Sequence, residues 1–467
     1  MTENPNVIWI TLESVRQDHT NVGGYDRDTT PNLANISATS RATTYSNCFS
    51  HSLWTPPCSA SILTGTYMSS HGLGMDGSAG EKIPDDLNTL PELLSDEGYT
   101  TACLSPSPYI SEATGLDRGF DRFTRLSAKR LLNAANPMSL MKYALAVRSD
   151  GPGFALNYRR HNLSFIMSQM AKKWITELSR RDPVFLYLHM PNPHHPYTPC
   201  NRWIEEFTDE ISMTSEEAMD LVMNVFDSTE SLNEHMANGC DFSSDEWDAI
   251  KAMYDAEVRD ADRYVGELFD HVTELDRDTI FVVTGDHGEF FGELGLLGHN
   301  LALHDAVTNV PLVLYGVPDL HAGPDDLVQH IDVTRTIGEY VGCATDQFQG
   351  IDLREGTREY CLIQRGTADL DSYTEYNTEF DESRFFESTV DCLRSPQFKY
   401  IEGNKKRFLF ELPDEEYLVG EANPQKEDEM ATELESLLAS LPDWSGGAQD
   451  AEFTEEMKER LSDLGYV

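Results

Sequence analysis

A near-continuous apolar run, Asn6 to Leu12 (NVIWITL), opens the chain, too short for a helix and without a polar face. Such a run predicts a strand buried on both faces. The same signal returns at 182–191 (DPVFLYLHMP), 278–285 (DTIFVVTG) and 310–317 (VPLVLYGV), and more weakly at 99–105 (YTTACLS). Between these runs the apolar spacing lengthens to helical period, briefly at 90–98 (LPELLSDEG) and at greater length over 163–180 and 247–275. Strands alternating with helices predict an α/β fold, a large and mostly parallel sheet flanked by helices. From about residue 350 the pattern changes: the short strand candidates CLRSPQFKYIE and KRFLFEL precede an acidic helical tail. The predicted organisation is an α/β domain over 1–345 and a small C-terminal α+β subdomain over 346–467, with no internal repeats.

Charge narrows the choice of partners. Lys and Arg total 35 against 80 Asp and Glu, a formal charge of −45. A polyanion of this density does not wrap nucleic acid, which needs clustered cations. With 40% hydrophobic and 10% aromatic residues it is not disordered either. The cations comprise 11 Lys and 24 Arg, and scarce lysine amid abundant carboxylate is the balance expected of a protein soluble in a salt-loving cytoplasm. Residues 203–250 hold 14 acids and no Lys or Arg, predicting a solvated surface insertion. With the 17 carboxylates between Phe410 and Val467, this places the acid away from the strand ends. The 122–160 segment is the opposite, with eight cations against Asp150. It reads either as an amphipathic lid making peripheral contact with an anionic membrane, or as a helix whose cations pair with the acidic body. No apolar stretch reaches the ~20 residues of a membrane span, and the N-terminus shows no leader pattern, so the expected location is cytoplasmic. The eight cysteines include no CxxC pair and are expected to be reduced, buried thiols.

Ligands of parallel α/β sheets gather beyond the carboxyl ends of the strands. The first strand runs out into Glu13, and IFVVTG runs into Asp286, His287, Gly288 and Glu289. A carboxylate at one strand end and an Asp-His pair at another form a divalent-cation donor set. In SLWTPPCSASILTG, Thr55 stands before two prolines as an N-cap would, its hydroxyl at a helix start where amides favour an anion. A hydroxyl held at a metal becomes a competent nucleophile toward phosphorus or sulfur. Asn192-Pro193-His194-His195-Pro196-Tyr197 follows the strand VFLYLHM, and Gly298-His299-Asn300 follows later; such histidines orient or protonate an ester oxygen.

These segments, in this order, resemble the sulfatase family of the alkaline phosphatase superfamily. NVIWITLESVRQDH with GGYDRDTTPNLANI, SHSLWTPPCSASILTG, GLDRGFDRF, NPHHPY, TGDHGEFFGELGLLGHN and LRSPQFKYIEGNKKRFLFEL carry the resemblance over nearly the whole chain. It implies an alkaline phosphatase-like fold and hydrolysis of sulfate or phosphate esters with one divalent metal ion. Carried over by position, Glu13, Thr55, Asp286 and His287 hold the metal and Thr55 is also the nucleophile. His194 would contact the leaving or non-bridging oxygens, and His299 would stand as a cation over the transferred group. The departures are specific. Most family members carry Cys or Ser at the nucleophile, converted to formylglycine within C-x-P-S-R; here that position holds Thr55, and the signature's Arg position holds Ser59. Cys58 begins a partial imitation, Cys-Ser-Ala-Ser, three residues late. Glu13-Ser14 replaces two aspartates, and ACLSPSPYI lacks the family's Lys and His. A Glu, Thr, Asp, His set suits manganese or zinc better than calcium, with magnesium also open. A haloarchaeal-type member with Thr at the formylglycine position is therefore expected, acting on a small anionic ester or a sulfated or phosphorylated glycan. Two alternatives remain: a phosphoglycerol- or phosphoethanolamine-type transferase or phosphodiesterase acting on an anionic glycan or lipid, and a metal-binding protein that has lost catalysis.

Overall fold

The structure, a computed structural model, describes residues 4–126, 141, 163–404, 406–442 and 449–463. Most of the basic 122–160 segment, from 127 onward, lies outside the described residues apart from 141. Eight strands form the main sheet: β1 (Asn6–Leu12), β2 (Ala42–Phe49), β3 (Thr100–Ser105), β4 (Arg122–Arg125), β5 (Val184–Met190), β6 (Thr279–Gly285), β7 (Asn309–Tyr315) and β8 (Leu327–Gln329). Their order is β8-β2-β7-β6-β1-β5-β3-β4. Only β7 runs antiparallel to its neighbours. Every residue of β1, β5 and β6 is buried, as expected of strands covered on both faces.

Helices pack on this sheet in two groups. One comprises α1 (Pro31–Ser37), α4 (Ser164–Leu178) and the long α8 (Ser244–Thr273); the other comprises α2 (Thr55–Thr64), α3 (Leu90–Asp96) and α9 (His330–Val341). The helix α8 starts three residues before the expected Trp247, because Ser243 and Glu246 form a reciprocal capping box. The acidic 203–250 stretch is helical as well, with α5 (Asn201–Thr208), α6 (Ser215–Val225) and α7 (Thr229–Ala237) ahead of α8. It is more than a solvated insertion: Ala218, Val222, Phe226, Leu232 and Met236 are buried on the inner faces of these helices. Charge alone hid this period-of-3.6 pattern.

A separate antiparallel sheet follows, β9 (Cys361–Arg365), β10 (Val390–Arg394), β11 (Phe398–Gly403) and β12 (Lys406–Glu411), in sequence order and packed against α10 (Pro424–Ser440). The candidate strand CLRSPQFKYIE divides here into two, folded back at Ser395. All eight cysteines are buried free thiols. Among the described residues no helix is long and apolar enough to cross a membrane.

Candidate active site

Strand register builds the site. Leu12 of β1 lies level with Met190 of β5 on one side and Gly285 of β6 on the other. The next residues of β1 and β6, Glu13 and Asp286, therefore emerge side by side at the centre of the sheet's carboxyl edge. Ser14 then turns with φ of 64°, a left-handed conformation rare for a residue bearing a Cβ. Its N–H donates to Asp286 Oδ1 (3.0 Å), and its carbonyl accepts from the Tyr254 hydroxyl of α8 (2.7 Å). The same hydroxyl accepts from the Arg16 N–H (2.9 Å), so α8 locks the turn that aims Glu13. At the end of β6, Gly288 is required because a Cβ there would lie 2.2 Å from the Ala306 carbonyl oxygen.

Thr55 completes the group from α2. Its hydroxyl donates to Glu13 Oε1 at 3.2 Å and lies 3.4 Å from His287 Nε2. His287 Nδ1 is bound to the Gly288 carbonyl (2.9 Å), an interaction only an N–H can make, so Nε2 presents its lone pair toward Thr55. Thr55 is not the N-cap the sequence suggested. Trp54 holds that place, and Thr55 is the first helical residue. Since Pro56 and Pro57 follow, two of the amides that would greet an anion at this helix start are absent. Cys58, further along α2, is fully buried, points its Sγ at the Ser52 carbonyl (3.4 Å), and is raised well above the usual thiol range by burial.

The residues fit a divalent cation. Asp286 Oδ2 and both ring nitrogens of His189 are buried with no hydrogen-bond partner, an arrangement that is costly unless something else is bound there. His189 was missed in the sequence, where it is one imidazole inside the apolar strand VFLYLHM. It sits one residue before the end of β5, 3.7 Å from Glu13 Oε2 and 4.0 Å from Asp286 Oδ2. Burial would raise the Glu13 carboxyl, but His194, His189 and His287 outweigh it and hold it at about 2. His189 moves the other way: burial would lower it, yet Glu13 and Asp286 bring it above its ordinary value.

Across from these, the loop after β5 and the loop after β6 meet. The rings of His194 and His299 are 5.3 Å apart between centroids, and those of His287 and His299 4.5 Å. His299 Nδ1 bonds to Glu289 Oε1 at 2.8 Å, and His194 Nδ1 to the His195 carbonyl at 2.7 Å. Burial and the neighbouring His194 depress His299 to about 3. Burial raises Glu289 to about 7. The β5 loop is clamped at both ends by Glu257 of α8, which bonds the Asn192 amide and accepts from the Thr198 N–H (2.9 Å). The acidic helices close over it: Phe226 stacks on His195 at 4.8 Å, and Leu232 lies against Gly298. These helices thus meet the site loops through their apolar faces.

The sequence model of the Sulfatase family matches residues 5–343. The chain is 22% identical over 351 residues to the uncharacterized sulfatase YidJ of Escherichia coli, covering 72% of this chain and 67% of that protein. It is 21% identical over 475 residues to an N-acetylglucosamine-6-O-sulfatase of Bacteroides thetaiotaomicron, covering 86% of this chain and 78% of that one. Among solved structures, the phosphonate monoester hydrolase of Agrobacterium radiobacter superposes with a TM-score of 0.71 at 18% identity, covering 97% and 98% of the two chains. The chain belongs to the sulfatase family, the hydrolases of sulfuric and phosphoric esters.

Proposed function

We propose that this protein is a metal-dependent hydrolase of sulfate or phosphate esters that uses Thr55, rather than formylglycine, as its nucleophile. The observation that carries this is the Thr55 hydroxyl at 3.2 Å from Glu13 Oε1 and 3.4 Å from His287 Nε2. Glu13, Asp286 and His287, with Thr55 itself, would hold one divalent ion, which would polarise the ester and neutralise charge on the group in transfer. Thr55 Oγ1 attacks sulfur or phosphorus in line and gives its proton along its hydrogen bond to Glu13. The bond from sulfur or phosphorus to the ester oxygen breaks, and the departing oxygen, assisted by His194 or His299, takes its proton from the water that attacks next. Water then attacks the Thr55 ester, releases inorganic sulfate or phosphate and restores the hydroxyl. A sulfated glycan is the substrate class we favour. The N-acetylglucosamine-6-O-sulfatase relative supports it, as does a solved structure in complex with D-glucosamine-2-N,6-O-disulfate that superposes at a TM-score of 0.64. The net charge of −45 supports a salt-rich setting.

The test is a panel of nitrophenyl sulfate, phosphate, phosphodiester and phosphonate monoester substrates with the Thr55→Ala and Thr55→Ser proteins. Loss of a nucleophile removes a covalent step, so Thr55→Ala is expected to lower kcat by about 10³-fold or more while Thr55→Ser retains part of it. Wild-type turnover by Thr55→Ala would refute the assignment.

A further inference from the structure

We infer that His194, His195 and His299 form a second metal site, for a zinc-class transition ion, beside the first. It rests on the cleft being the reaction centre and deepens that reading by adding a cation to it. One ring nitrogen of each histidine lies within 4.8 Å of the other two. Three nitrogens each about 2.1 Å from a tetrahedral zinc stand roughly 3.4 Å apart, so small side-chain rotations close the site. The ring centroids are already spaced 4.4, 5.3 and 5.6 Å. Three imidazoles are the protein donor set of a catalytic rather than a structural zinc.

Two further features favour an ion over a mere stack of rings. His299 Nδ1 is bound to the Glu289 carboxylate and His194 Nδ1 to a carbonyl, the outer contacts that fix a ligating imidazole and raise its basicity. Charge points the same way. Glu13, Asp286 and Glu289 bring three carboxylates into the cleft, and all three are buried. One divalent ion leaves that group negative, or merely neutral if one carboxyl is protonated, which gives an anionic ester no attraction. The Arg that the family signature would supply is Ser59 here. A second divalent ion reverses the sign, and it would stand on the side of Thr55 where the three histidines meet the substrate.

Full-length protein stripped with a chelator and reloaded with zinc is to be assayed by elemental analysis, with cobalt absorption as a second readout of coordination. Wild type should hold two equivalents. His195→Ala with His299→Ala should hold one, with the cobalt bands of the lost site gone and the far-UV circular dichroism unchanged. Asp286→Asn with Glu13→Gln should lose the other equivalent instead. Glu289→Gln should weaken only the second ion, by about 10–100-fold. One equivalent in saturated wild type, or two retained in the double histidine variant, overturns the site. Nucleophile and second metal fail separately: an active Thr55→Ala refutes only the former, and an active wild type that saturates at one equivalent refutes only the latter.

Discussion

Cys58 and Thr55 lie one helical turn apart on α2, and their surroundings assign them opposite roles. The Cys58 thiol is fully buried, bound to the Ser52 carbonyl, and raised well above its ordinary range by burial and by the Asp286 carboxylate, so it is a protonated thiol rather than a thiolate. Cys58→Ala should therefore leave kcat/KM on nitrophenyl sulfate within about twofold and cost about 1–2 kcal/mol of stability from the small cavity left. A modified Cys58 would instead make that variant inactive. Glu257 offers a pH test. Burial, with the nearby Asp260, raises its carboxyl to about 8 against an ordinary 4.5. The folded protein thus keeps a proton that the unfolded chain releases, and stability falls as pH rises through that window, by at most about 1.4 kcal/mol per pH unit. Glu257→Gln should flatten the decline of Tm between pH 5 and 8; an unchanged slope would show that Glu257 does not hold the proton. Legibility divides along the same line. Glu13, Thr55, Asp286 and His287 were visible because strand ends and a helix start are marked in the chain. His189 and Glu257 were not, since each lies inside an element that reads as core or as amphipathic helix, and only the register of β5 and the bend of the 192–198 loop bring them to the site.

Among elements, the C-terminal sheet is tied to the loop that bears His299 through two buried cations. Lys399 of β11 is wholly buried between Asp305, Glu415 (2.6 Å) and the Leu303 carbonyl (3.2 Å), while Arg394 of β10 bonds Asp305 at 3.1 Å. Burial would raise Asp305, but Lys399 and Arg394 hold it at about 2. Removing one partner of a buried charge group leaves the others uncompensated, at about 3–5 kcal/mol. Lys399→Met should lose that much by urea denaturation and, because Asp305 is six residues from His299, should lower kcat more than it raises KM. A pure loss of stability with kcat unchanged would separate the small sheet from the site. The strands themselves were readable from hydropathy, but the direction of β7 was not: its VPLVLYG run is as apolar as the parallel central strands, and polarity is set by the connections rather than by burial. The acidic helices were misjudged for a related reason, since counting charges over 203–250 averages away the buried face that carries Phe226 to His195.

For the whole molecule, the charge of −45 and the position of its acid decide how salt should act. An enzyme that attracts an anionic ester by a positive surface loses on-rate as salt is added, because screening shortens the steering field. Here the chain as a whole carries −45, and the helices 201–237, rich in carboxylates, pack against His195 and Gly298 on the histidine side of the site. Screening therefore weakens repulsion on both counts: among the protein's own carboxylates, and between the protein and its substrate. The Debye length falls from about 10 Å at 0.1 M to about 3 Å at 1 M, so most of the change should come in that interval. Both Tm and kcat/KM for an anionic nitrophenyl ester should rise with KCl across it, and sodium and potassium chloride should act alike, since the effect is one of ionic strength. Measured with a sulfate monoester that carries a quaternary ammonium and so has no net charge, the gain in kcat/KM should shrink while the gain in Tm persists. A kcat/KM that falls with salt while Tm rises would mean that the potential at the mouth of the cleft is positive, set by cations nearer the substrate than the acidic helices are.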